Sequence, residues 1–231
     1  MDPMLKNVAI IPARGGSKRI PKKNIIEFLG KPMIAWTIEA AIQSNRFDKV
    51  IVSTDDQEIA SVASRFGAEI PFLRETDVDD ITPISTATLN YATRLQKYWG
   101  EEIETVAQLM ANCPLRTSQD IVTFIDKFDQ LGSPYLLSCF KFGWMNPWWS
   151  LKMSETGEHE FMFPKALTMR SQDLDDLYCP TGSIWVAKLS SLVKDGTFYG
   201  KGHRFSEIPW ESAVDIDDWS DLEFARKIAR N

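Results

Sequence analysis

Apolar runs and helical periodicities take turns along most of this chain. NVAIIPA, beginning at Asn7, is apolar without a break and ends at a turn, the pattern of a strand covered on both faces. From Met33, MIAWTIEAAIQSN places Ile34, Ile38 and Ala41 on one helical face, with Pro32 near its start. KVIVSTDD, from Lys49, predicts a second short buried strand. It leads into a helix, QEIASVASRFG, closed by Gly67. AEIPFLR reads as a strand or extended edge segment. ISTATLNYATRLQKYW, from Ile84, predicts a helix, and ETVAQLMANCP, from Glu104, a strand turning at Pro114. SQDIVTFIDKFDQL predicts a helix with Ser118 as N-cap, and PYLLSCFKF a strand. Strands alternating with helices over short links predict an α/β fold: a three-layer sandwich around a mostly parallel sheet.

The pattern breaks after Phe142. GWMNPWWSLKMSETGEHEFMFPKALTMRSQDL mixes tryptophans, turn residues and short extended pieces, which suits an insertion at about residues 143–173 within a single domain spanning 1–231. Trp144, Trp148 and Trp149 fit either the core of that insertion or an oligomer interface, where aromatic residues are enriched. TGSIWVAK, from Thr181, restores a strand. SAVDIDDWSDLEFARKIARN predicts a short strand, a turn and a closing helix.

Composition narrows the function. With net charge −6 over 231 residues, the chain does not have the basic balance of a nucleic-acid binder. Cys113, Cys139 and Cys179 are scattered and odd in number, which argues against a zinc site or a disulfide framework and for reduced thiols in the cytoplasm. No apolar run is long enough for a signal peptide or a bilayer span, so no membrane role is expected. Two histidines leave little room for histidine-based catalysis.

Against that acidic background, IIPARGGSKRIPKKN gathers Arg14, Lys18, Arg19, Lys22 and Lys23 directly after the first strand. Ligands of open α/β sheets bind at the C-terminal ends of the strands, which is where this turn must lie. Gly15 and Gly16 allow close backbone approach and exposed N–H groups, and arginine and lysine grip phosphate oxygens. The glycine spacing matches neither the P-loop nor the dinucleotide pattern. A polyphosphate site and a solvated basic loop both remain open. Asp215 and Asp217, in DID, flank one residue and can share a side of the chain. A carboxylate pair suits Mg²⁺ shared with substrate phosphates, although Asp217 or Asp218 can equally cap the last helix. Arg170, in RSQDL, fits a salt bridge or a ligand carboxylate. Asp55 and Asp56 fit helix capping or a ribose, with capping the simpler reading.

Taken together, IIPARGGSKRIPKKN, GKPMIAWTIEAA, VIVSTDDQEIA, GAEIPFLR, NCPLR, RSQDL and VDIDDWSDLEFA resemble the acylneuraminate cytidylyltransferases, the CMP-sialic acid synthetases, from about Val8 to the C-terminus. The resemblance implies a Rossmann-like nucleotidyltransferase fold whose protruding arm packs against a second subunit, making a homodimer. It implies a reaction between CTP and an acidic nine-carbon α-keto sugar of the N-acylneuraminate type, dependent on Mg²⁺, giving a CMP-sugar and pyrophosphate. The family's triphosphate turn falls on Ala13, Arg14, Gly15, Gly16, Ser17 and Lys18, with Lys23 and Asn24 completing it. Arg74 falls near the nucleotide, and Ser85 and Thr86 near the cytosine and ribose. Asp215 and Asp217 fall on the metal pair, and Arg170 and Gln172 on the sugar side. Arg14, Lys23, Asp215 and Asp217 carry the catalytic roles.

This sequence departs from the family on the sugar side. Where QPTSPLR is common, it reads MANCPLR, so Met110 replaces a glutamine usually assigned to the sugar and Cys113 a serine. Legionaminic, pseudaminic or 3-deoxy-manno-octulosonic acid is therefore an alternative sugar. A metal-dependent DxD glycosyltransferase and a non-catalytic nucleotide-binding module are the readings from other classes.

Overall fold

The computed structural model describes residues 4–79 and 81–229; residues 1–3, 230 and 231, included in the single-domain reading, lie outside the described residues, as does residue 80. Strands β1 (Met4–Pro12), β2 (Glu27–Phe28) and β3 (Lys31–Pro32) precede helix α1 (Met33–Gln43). Then come β4 (Lys49–Ser53), α2 (Gln57–Arg65), α3 (Ile84–Trp99), β5 (Glu102–Leu109), α4 (Ser118–Leu131) and β6 (Tyr135–Lys141). β7 (Leu151–Met153) and β8 (His159–Phe161) form a separate hairpin. β9 (Tyr178–Lys188), α5 (Leu189–Asp195), β10 (Arg204–Glu207) and α6 (Trp219–Ile228) complete the order.

The central sheet runs β10-β6-β9-β5-β1-β4. Every neighbouring pair is parallel except those made by β9, which is antiparallel to both β5 and β6. Side chains of β1 alternate between two layers. Ala9 and Ile11 join a core with Ile38 of α1, Ile59 of α2 and Phe124 of α4. Val8 and Ile10 join another with Tyr91 and Leu95 of α3 and Leu192 of α5. A strand buried this way reads as an unbroken apolar run, and the expected three-layer sandwich follows. From β1 the chain passes to β4 on one side and then to β5 on the other. That reversal opens a crevice at the C-terminal ends of β1 and β5.

Several local expectations need correction. The N-cap of α4 is Thr117, not Ser118. Thr117 accepts from the Asp120 backbone N–H, and the Asp120 carboxylate returns to the Thr117 N–H, a reciprocal capping box. AEIPFLR forms no strand, and of its two readings the extended edge segment holds at its start, where Glu69 pairs with the edge of β4. Only Glu69 bridges to Ile51, and the chain then turns so that Arg74 N–H can donate to Thr54 O at 2.7 Å. The short strand expected before the last helix is absent too. Residues Glu211–Ala213 make a 3₁₀ turn, and the next four run as irregular chain. Asp56, not Asp55, caps α2, and Asp218 caps α6 in a capping box with Asp221.

A third, smaller core ties distant segments together. Ile20 from the basic turn and Ile216 from between the two aspartates are both fully buried, in one cluster with Phe28, Met33, Leu222 and Ala225. Residues 143–177 leave the sheet as an arm built from the β7–β8 hairpin and three short 3₁₀ turns. Within it, Trp148 is half-buried against Phe163, with its indole N–H on Asp175 O, whereas Trp144 is 88% exposed. The tryptophans therefore split between the arm's own packing and its surface. Among the described residues, no helix is long and apolar enough to cross a membrane.

Candidate active site

The crevice is a cleft of about 600 Å³. The turn after β1 forms one wall. Ala13 is buried, with its N–H on Ser53 O at 2.9 Å, which anchors the turn to β4. Asn24, also buried, donates from Nδ2 to Arg14 O at 2.9 Å and closes the loop on itself. Arg14, Ser17, Lys18, Lys23 and Asn24 all line the cleft. Arg14 donates to Asp79 O across it at 3.1 Å.

The glycines act differently from expectation. A side chain at Gly15 would meet Asp56: the nearest atom, Oδ2, is 2.7 Å from an ideal Cβ. The requirement is for space beside the α2 cap. The Gly15 N–H is not exposed for a ligand, because it donates to Asp55 Oδ1 at 2.9 Å. The Ser17 N–H closes on Gly15 O. A Cβ on Gly16 would meet nothing within 4 Å.

Asp215 and Asp217 form the facing wall. They project together because Ile216 between them points into the third core, so alternation holds without a strand. Lys23, only 16% exposed, bridges to Asp217 at 2.8 Å, and Arg19 reaches the other Asp217 oxygen at 2.7 Å. Burial tends to raise the Asp217 carboxyl, but these two cations outweigh it and hold it below the usual range. Asp215 opens to the cleft while protein surrounds its other sides. That loss of water, with the Asp217 charge beside it, pushes its carboxyl up to about 6. Hard oxygen donors under mutual repulsion favour a dication. Among the described residues no three carboxylates, thiols or imidazoles gather to hold a metal by themselves, so this pair needs a ligand's oxygens to complete a coordination shell.

Arg74 also lines the cleft, 7% exposed, with its Nε–H unpartnered. Burial lowers its basicity, Asp55 and Asp77 support the charge, and Arg14 opposes it. An incoming anion suits that guanidinium. On α3 the cleft-facing residues are Ile84 and Ala87. Ser85 and Thr86, one step round the helix, do not line it; Ser85 is buried against the Phe198 N–H. Arg170 and Gln172 are exposed on the arm and do not line the cleft either. Arg170 pairs with Asp173 at 2.8 Å, which is the salt-bridge alternative.

The structure adds residues to which the sequence assigned no role. Asp77, Asp79 and Thr82 line the cleft from the loop before α3, and Asn112 from the loop after β5. Asn112 holds Asp215 directly from its side-chain amide. Its place in NCPLR, just after a buried strand, was the available signal for it. Five cations (Arg14, Lys18, Arg19, Lys23, Arg74) face four carboxylates (Asp77, Asp79, Asp215, Asp217) in one cleft.

Comparison with known proteins places this geometry. A family model described as Cytidylyltransferase matches residues 8–179. A pseudaminic acid cytidylyltransferase of Campylobacter jejuni is 35% identical over 96% of this chain and 95% of its own length. An N-acylneuraminate cytidylyltransferase A of Danio rerio is 31% identical over 91% of this chain and 48% of its own. Among solved structures, a CMP:2-keto-3-deoxy-manno-octonic acid synthetase complexed with CTP superposes with a TM-score of 0.69. It shares 19% identity, with 97% of this chain and 98% of that one covered, which establishes a common fold.

Proposed function

The chain belongs to the cytidylyltransferase family, and we propose on that premise that it joins the CMP half of CTP to a nine-carbon α-keto acid sugar. It is a nucleotidyltransferase. The observation that carries the reading is the pairing, across one cleft, of the basic turn with Asp215 and Asp217. The sugar's anomeric oxygen attacks the α-phosphorus of CTP in line. The bond to the departing β-phosphate breaks, and pyrophosphate leaves. Arg14, Lys18 and Lys23 are placed to take up charge on the pyrophosphate, and Arg74, lining the same cleft, to hold an anionic group of the nucleotide. No covalent intermediate with the enzyme is needed.

Asp215 and Asp217, with the nucleotide's phosphates, are the residues that would hold Mg²⁺. Bound there, the ion would neutralise charge on the reacting phosphates.

The sugar is pseudaminic acid or a near relative in preference to N-acylneuraminate. Two observations favour this. The pseudaminic acid enzyme matches nearly end to end at 35% identity. Met110 also lines the cleft with a thioether where the family commonly has glutamine. A side chain on Gly182 would press on Met110 Cγ at 3.1 Å, so these two positions are coupled. The arm is the surface for a second copy of the chain: Trp144, Met145 and Met153 are all strongly exposed. Such a dimer gives Arg170 and Gln172 a route to a sugar that their own cleft does not offer.

Pyrophosphate release tests the reading, with four nucleoside triphosphates crossed against N-acetylneuraminic, pseudaminic, legionaminic and 3-deoxy-manno-octulosonic acids. CTP with a pseudaminic-type sugar is expected to be fastest. Silence with CTP on every sugar overturns the reaction. Binding of CTP without turnover would leave a nucleotide-binding module. A large preference for N-acetylneuraminate refutes only the sugar assignment.

A further inference from the structure

Asp215 and Asp217 stand on irregular chain, with no strand ladder to fix them. The buried Ile216 sets their common direction but not their spacing. Two like charges two residues apart should swing away from each other unless something holds them. Asn112 is the group in position to do so. It is 5% exposed and sits three residues past the end of β5. Its Nδ2 donates to Asp215 Oδ1, to Ile216 O at 3.1 Å and to Asp217 Oδ1 at 3.4 Å. Its backbone carbonyl accepts the Ile216 N–H at 2.9 Å. One residue thus fastens the whole tripeptide to the central sheet and touches both carboxylates.

Resting on the cytidylyltransferase reading, we infer that Asn112 is a positioning residue that holds Asp215 and Asp217 in a single cation-binding arrangement. The two N–H groups of its amide are shared among Asp215 Oδ1, Ile216 O and, most distantly, Asp217 Oδ1, so Asp215 Oδ2 is not engaged by it, while the other Asp217 oxygen rests on Arg19. The amide is uncharged, so it can sit between two carboxylates without competing for the dication, as Lys23 and Arg19 do at Asp217. Groups that orient metal ligands from behind typically change metal affinity 10–100-fold when removed. Residues that only build the fold change stability instead.

The test uses Mn²⁺ as the paramagnetic probe. Its binding to the full chain with CTP is followed by water-proton relaxation, alongside pyrophosphate release at varied Mg²⁺ and CTP. For Asn112→Ala, Mn²⁺ affinity is expected to fall about 10-fold or more, and half-maximal Mg²⁺ to rise by a similar factor. High Mg²⁺ should restore most of kcat, and KM for CTP at saturating Mg²⁺ should stay within about twofold. Asn112→Thr, which keeps one hydroxyl donor, should recover part of the Mn²⁺ affinity. If Asn112→Ala does not fold, Asn112→Thr is judged by the same criteria. Unchanged Mn²⁺ affinity in a folded variant overturns the inference. So does a rise confined to KM for CTP, which would make Asn112 a nucleotide contact. Wild-type protein that neither binds Mn²⁺ with CTP nor releases pyrophosphate would instead remove the underlying reading.

Discussion

Gly15→Ala isolates the contact between the basic turn and α2. Gly15 is not in the left-handed region, so alanine can adopt its backbone, and the perturbation is steric. An ideal Cβ would lie 2.7 Å from Asp56 Oδ2 and 2.9 Å from Asp56 Cβ. Ordinary carbon contacts begin near ~3.5 Å, so the overlap is substantial. Rotating the Asp56 side chain cannot relieve it, because Cβ is fixed to the α2 backbone. Either the turn shifts or the cap does. Overpacking of this kind costs about 1–3 kcal/mol, and disturbing an aspartate N-cap adds about 1 kcal/mol. We expect a loss of about 2–4 kcal/mol, or a Tm lower by roughly 4–16 °C for a chain of this length. Gly16→Ala, which meets nothing within 4 Å, should cost under about 0.5 kcal/mol. Asp56→Gly removes the clashing Cβ and, since glycine is a tolerable N-cap, should cost only about a few tenths of a kcal/mol. The double variant Gly15→Ala/Asp56→Gly should then regain most of the lost stability, a coupling of over about 1 kcal/mol. Thermal unfolding by calorimetry measures all four proteins. If Gly15→Ala melts with Gly16→Ala, or if Asp56→Gly does not rescue it, the reasoning fails.

Gly200→Ala places a methyl group against Asp195 Oδ2 and, at 2.5 Å, against the ring of fully buried Tyr135. It should lower the urea midpoint by the equivalent of about 1–3 kcal/mol, and an unchanged midpoint would disprove the contact. The thiols should separate by environment. Burial, helped by the Asp215 charge, pushes Cys113 up to about 12, so at pH 8 only about one molecule in ten thousand carries its thiolate. Iodoacetamide should therefore label half-buried Cys179 in the native protein and reach Cys113 only after denaturation. Peptide mass spectrometry showing equal native labelling of the two would contradict this assignment.

Elements with a strong apolar period were legible: β1, α1, β4, α2, α3, β5, α4, β6, β9 and α6 all lie where periodicity puts them. What failed has physical causes. β10 is four residues on a sheet edge, mostly exposed, and RFSE carries no buried pattern. AEIPFLR is apolar enough for a strand, but its proline cannot donate to a ladder and the chain is needed to place Arg74. At α4 the spacing from cap to partner decides. Asp120 lies three residues from Thr117, and a capping box needs that interval. The charged lining of the cleft was readable because cations and carboxylates gather in short runs. On α3 the residues that line the cleft, Ile84 and Ala87, flank Ser85 and Thr86 on either side. Asn112 stands in NCPLR, one of the segments that carry the resemblance, but no role fell on it, because only the fold brings residue 215 to it.

The concentration of positive charge in an acidic protein also has a structural explanation. The cations are already partly neutralised: Lys22 pairs with Glu58, and Lys23 and Arg19 share Asp217. Such pairing lets a dense cluster exist without a ligand, since like charges so close would otherwise repel. The two pairs on Asp217 are unequal. Arg19 is 64% exposed, and an exposed pair is worth about 0–1 kcal/mol, so a polyphosphate can draw it away at little cost. Lys23, at 16% exposed, stays beside the carboxylate. On the proposed reaction, an arriving triphosphate takes over Arg19, which Asp217 holds in its absence, and the freed Oδ2 becomes available to a dication arriving with the nucleotide. The resting ion pairs then hold the site in reserve, and nucleotide and cation would bind cooperatively because each relieves the charge that the other leaves exposed.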